Sequence, residues 1–116
     1  MTKTIRNLIA AMLLIGASHG AMADSYQTGN TLLAKCESES SFELGMCLGY
    51  LQAVSDTYQT AAEWEGFEST RCVPSAVTAG QLQKIWIKYA NERPEKLHLG
   101  ASSLVLNAYE KAFPCD

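Results

Sequence analysis

The residues best able to do chemistry are four cysteines, Cys36, Cys47, Cys72 and Cys115, and the histidine His98, and their spacing assembles no catalytic or metal site. Zinc is held by closely spaced sulfur and nitrogen ligands, yet there is no C-x-x-C pair, and His19, the other histidine, lies in the N-terminal leader described below. A cysteine nucleophile needs a base and would leave an odd thiol, with only His98 to serve. His98 itself reads as a surface or packing histidine. An even cysteine count in a short exported chain predicts two disulfides, for which four cysteines allow three connectivities. Glu63 and Glu65 could act as a carboxylate pair on a sugar, but neighbouring glutamates near a helix end are ordinarily solvated. No enzyme, cofactor or metal is therefore expected. Glu63, Trp64, Glu65, Phe67 and Glu68 make a different proposition, because they place two aromatic rings among three carboxylates, with Gly66 to turn the chain. Read as a connector between helices from Glu63 to Arg71, this stretch either folds its rings back over the preceding helix or presents them as interface anchors.

Residues 1–23 read as a secretory signal peptide. Lys3 and Arg6 precede an apolar run from Leu8 to Ile15, and Ala21 and Ala23 flank Met22 at the expected cleavage site. The apolar run is too short to cross roughly 30 Å of hydrocarbon. Residues 24–116 then form a single exported domain, expected to lie in an oxidising compartment. Without Lys3 and Arg6 the nine basic residues fall to seven against twelve acidic ones, a charge of about −5. That balance is wrong for nucleic acid or an anionic membrane surface. It suits a basic protein partner. A chain of this size buries only about 60 to 65% of its unfolded surface, so covalent staples would help it.

The elements that must position these residues are helices. Asn30 can cap a short one through Cys36, with Leu32, Leu33 and Cys36 along one edge. Glu37 to Ser41 breaks the pattern, and Ser40 with Glu43 starts a long helix to about Glu63. Its predicted buried face is Leu44, Cys47, Leu48, Leu51, Ser55, Tyr58 and Ala62. Gly45, Gly49 and Ala53 run beside that face. Each glycine costs about 1 kcal/mol against alanine in a helix, so a partner helix within the fold, or failing that a dimer seam, is expected to approach there. From Cys72 to Cys115 two further helices lie between cysteines. Val77, Thr78, Gln81 and Leu82 make a capping box with a hydrophobic staple, starting a helix at Ala79. Leu82, Ile85, Trp86 and Tyr89 form its apolar stripe, and Pro94 ends it at Arg93. The last helix carries Ala101, Leu104, Val105, Ala108 and Ala112 and stops at Phe113 and Pro114. With no strand alternation, the expected fold is all-α: a small four-helix bundle, its first helix short, stapled by two disulfides.

Ordered blocks along residues 29–115 resemble the Rap/Tai immunity family. They are Cys47-Leu48-Gly49-Tyr50, Cys72-Val73-Pro74, Val77-Thr78, Gly80-Gln81-Leu82, Lys88-Tyr89, Pro94-Glu95, Leu97-His98, Ala101-Ser102, Leu104-Val105 and Ala112-Phe113-Pro114-Cys115. Gly100 departs from the pattern, standing where proline is expected. The resemblance implies a small helical periplasmic protein, typically a homodimer, that occludes the substrate groove of a type VI secretion amidase cutting peptidoglycan crosslinks. The cognate amidase effector is the implied partner. The resemblance marks no contact residues, so the interface expectation at Glu63 to Glu68 rests on the residues alone. A periplasmic binding or acid-stress chaperone role is the alternative.

The helix assignments suggest how the cysteines pair. Cys47 and Cys72 each fall near a helix start, and Cys36 and Cys115 at helix ends, so the expected disulfides are Cys47 with Cys72 and Cys36 with Cys115.

Overall fold

The computed structural model describes residues 25–116; the expected signal peptide and its cleavage site lie outside them. Four α-helices follow in order: α1 (Gly29–Cys36), α2 (Ser41–Glu65), α3 (Ala79–Glu92) and α4 (Ala101–Ala112), with a 3-10 turn at Pro94–Lys96 between the last two. The expected all-α bundle with a short first helix is thus the observed fold.

Local chemistry sets the helix starts. At α3, Gln81 N–H donates to Thr78 Oγ1 at 3.2 Å while Thr78 N–H donates to Gln81 Oε1 at 2.7 Å, closing the box read from the sequence. Helix α1 begins earlier than expected. Thr28, not Asn30, is its cap, because Thr28 and Thr31 form a reciprocal box that takes up both backbone donors. Glycine at Gly29 is then required by space, since a Cβ there would stand 2.7 Å from Leu104 Cδ1 and 2.9 Å from Leu97 Cα.

The core is built from Leu32, Leu51, Leu82, Trp86, Leu104, Val105 and Tyr109, joined by both half-cystines of α1 and α2. The four helices meet on it as two consecutive hairpins, α1–α2 and α3–α4, every helix touching the other three. Tyr109 donates its hydroxyl to the Leu51 carbonyl at 2.8 Å across the junction. Burial pushes this phenol's pKa well above the usual range. At the other end Gly29 N–H donates to Leu99 O and Ala101 N–H to Gln27 O, both at 2.9 Å.

The disulfides do not join the hairpins. Cys36 pairs with Cys47 and Cys72 with Cys115, Cα to Cα 5.0 and 5.1 Å, in place of the expected Cys47–Cys72 and Cys36–Cys115. The reason is hairpin geometry. The short turn after α1 folds α2 back beside it, so the last residue of one helix faces the second turn of the next. Likewise the segment before α3 runs against the tail after α4, with Cys72 N–H donating to Phe113 O at 2.9 Å, and this sets Cys72 opposite Cys115. Matching helix ends was not enough; the ends had to belong to one hairpin.

Candidate functional site

Helix α2 carries Phe42, Met46 and Trp64, three of the large apolar side chains left exposed. Of the face read from the sequence, Cys47, Leu51 and Ala62 are buried and Leu44, Leu48, Ser55 and Tyr58 only half-buried, while Tyr50 and Val54, outside that face, pack against the core. The helix, however, continues past Glu63 to Glu65 and stops at Gly66, whose φ of 69° is the left-handed conformation that closes a helix C-terminus. Glu63, Trp64 and Glu65 therefore belong to the last turn of a rigid helix, and only Phe67 and Glu68 to the connector.

These five residues are brought to one end of α2, and their rings behave differently. Trp64 is 84% exposed. Phe67 is 42% exposed and leans on Tyr58, ring centroids 5.6 Å apart. The fold-back reading thus describes Phe67, while Trp64 projects into solvent. The electrostatics of this end are uncompensated, since the last turn of α2 has no basic residue and the helix C-terminus adds its own negative carbonyl field. Glu63 accepts from Gln59 Nε2 at 3.1 Å and is not paired with Glu65 across any cleft.

A clamp fixes the connector behind them. Arg71 donates from Nε to Leu106 O at 2.8 Å and from Nη1 to Thr70 Oγ1 at 3.1 Å, and pairs through Nη2 with Glu110 at 3.1 Å. Its guanidinium lies 4.7 Å from the centre of the Tyr58 ring. Thr70 N–H donates to the Tyr58 hydroxyl at 3.3 Å. Partial burial raises the Tyr58 pKa, and hydrogen bonds from Thr70, Ser69 and Arg71 outweigh it, bringing the phenol down to about 8. Neither Tyr58 nor Arg71 stood out in the sequence, because a tyrosine on a helical stripe looks like core and one arginine in a loop looks solvated.

Beside the clamp a cleft of about 430 Å³ opens between α2 and residues 73–77. Gln52, Ser55, Asp56 and Gln59, at helical spacing, form one wall; Val73 and Val77 face them, over a floor that includes Leu82. That polar spacing was readable as a stripe, but not what it faces. The glycines came out differently from expectation. A Cβ at Gly45 or Gly49 would meet nothing within 4 Å, so none of the described helices packs there. Phe42 and Met46, on the same side of α2, are 72% and 46% exposed. His98 is exposed, as expected. Among the described residues all four cysteines are in disulfides, and no group of acidic, histidine or cysteine side chains is placed to hold a metal ion.

Compared with known proteins, residues 28–115 match the family model of the Rap1a immunity proteins. No curated protein and no solved structure matches the chain.

Proposed function

The chain belongs to the Rap1a immunity protein family, and from that premise we propose that it is a periplasmic immunity protein that binds and occludes the active site of a peptidoglycan-cleaving amidase effector of type VI secretion. The observation that carries the reading is Trp64. A tryptophan left 84% exposed on the end of a 25-residue helix forfeits the burial that stabilises such a side chain in a core, about 1.5 to 3 kcal/mol for a large apolar group. A partner surface restores it. Its backbone is fixed in the helix, so docking has to order only the side chain. Glu63, Glu65 and Glu68 around it favour approach to a basic rim and speed encounter. The action is stoichiometric plugging, which needs no catalytic group.

The protein acts as a homodimer in this reading. The open side of α2 bearing Phe42, Gly45, Met46 and Gly49 allows a second copy to approach closely. An acid-triggered chaperone is less well supported, because among the described residues no polar or charged side chain is fully buried, so the core holds no carboxylate whose protonation would open it.

Co-expression in the periplasm tests the reading. Cells producing a secreted amidase encoded beside this gene should lyse alone and survive with the protein. Equal lysis in both strains overturns the pairing. Trp64→Ala should weaken the complex by roughly 30-fold or more, as for a hot-spot loss above 2 kcal/mol, while the thermal midpoint stays nearly unchanged; a large drop in that midpoint would instead make Trp64 a structural residue.

A further inference from the structure

From the cleft between α2 and residues 73–77 we infer that the molecule has a second contact site, a receptor for a lysine or arginine side chain presented by the partner protein. The inference rests on the reading above only for who presents that side chain. The cleft's own chemistry argues for a cation with donors and no acceptors. Its one arginine is already committed: Arg71 gives its guanidinium protons to Leu106 O, Thr70 Oγ1 and Glu110. The two wall amides also direct donors elsewhere, Gln52 Nε2 to Leu48 O at 3.2 Å and Gln59 Nε2 to Glu63 Oε1 at 3.1 Å. Their carbonyl oxygens accept no hydrogen bond among the described residues. Asp56 is exposed and makes no ion pair among the described residues. With the charge of Arg71, which also lines the cleft, neutralised by Glu110, Asp56 leaves an acceptor-rich wall with one uncompensated negative charge, which matches the donor-only inventory of ammonium and guanidinium groups.

Shape and position agree with this. Leu82, Val73 and Val77 give the floor and far wall an apolar surface on which the methylene stem of a basic residue lies while its head stays polar. The volume of about 430 Å³ exceeds one such side chain and leaves room for its flanking backbone. Asp56, Gln59 and Glu63 follow at helical spacing toward Trp64, so the cleft and the aromatic end share one edge of α2. A partner anchored at Trp64 reaches the cleft without leaving that edge.

The test titrates ¹⁵N-labelled protein with acetyl-Ala-Arg-Ala-amide and with its neutral citrulline counterpart. The arginine peptide should shift the side-chain amide signals of Gln52 and Gln59 saturably, the citrulline peptide should not, and Asp56→Asn should weaken the arginine peptide about tenfold, in line with the loss of one charge-assisted hydrogen bond. Equal shifts from citrulline, or unchanged affinity in Asp56→Asn, overturn the cleft as a cation receptor. In a second arm the amidase is bound to wild type and to Asp56→Asn; a complex weakened about tenfold supports the partner as the source, and an unchanged one overturns it. If no amidase binds wild type, the immunity reading fails while the peptide arm still decides the cleft.

Discussion

Tyr58 shows how much a single residue's neighbours can change it. On the helical pattern it is one more buried stripe position; in the fold its hydroxyl accepts from Thr70 N–H and its ring lies under Arg71. Its pKa is brought from 10.0 to about 8, lower in the folded than in the unfolded chain, so the stabilisation from its ionisation is fully present above pH 10 and fades as the pH falls through 8. An absorbance titration at 295 nm should show one tyrosine ionising near pH 8, absent in Tyr58→Phe. Tyr109 should ionise only when the protein unfolds, because its phenol is buried. Phe67, leaning on the Tyr58 ring, should behave unlike Trp64: Phe67→Ala should cost about 1 kcal/mol of unfolding free energy for the lost aromatic pair, measured by urea denaturation.

Helix α2 is the element on which the sequence and structure agree least simply. Its register was legible in part: the 3.6 period picked out Cys47, Leu51 and Ala62, but not Tyr50 and Val54, which also pack against the core. Its end was not, since glutamates and tryptophan do not forbid a helix, and Gly66 closes it only by adopting a positive φ. The glycines could not be interpreted at all without the fold, as the same spacing suits an internal contact or an outer one. The outer placement has a measurable consequence. In a lone molecule Gly45→Ala and Gly49→Ala fill open space and should each stabilise by up to about 1 kcal/mol. At a dimer seam a larger group at Gly49 blocks approach, so Gly49→Arg should lower the mass seen in light scattering from dimer to monomer while the helical circular dichroism is retained. A wild-type protein that is monomeric at high concentration would remove the dimer.

At the scale of the molecule, the two hairpins are each stapled to themselves and are held together by the core and a few hydrogen bonds. In the chain-entropy description a loop with the 11-residue separation of Cys36 and Cys47 gives at most about 2.8 kcal/mol and the 43-residue separation of Cys72 and Cys115 about 4 kcal/mol. Replacing both cysteines of the second pair by serine should therefore lower the thermal midpoint more than replacing the first pair. Non-reducing peptide mapping should recover the pairs Cys36–Cys47 and Cys72–Cys115. Because no covalent bridge crosses the junction, Tyr109→Phe, which removes the bond to Leu51 O, should cost about 1 kcal/mol and loosen one hairpin against the other.

What the sequence by itself determined is what depends on near neighbours along the chain: the helical class, the caps at Thr78 and Ser40, the stop before Pro94, and much of the buried side of α1, α3 and α4, since backbone geometry and capping act over three or four residues. The blocks spread over residues 29–115 also pointed to the family that the comparison shows. Only the tertiary structure decided which cysteines pair, which side of α2 stays open at Gly45 and Gly49, that Trp64 is bare while Phe67 is braced, and that Arg71 is used up beside an acceptor-rich cleft. Each of these depends on atoms brought within a few ångströms by segments tens of residues apart, and no local rule carries that information.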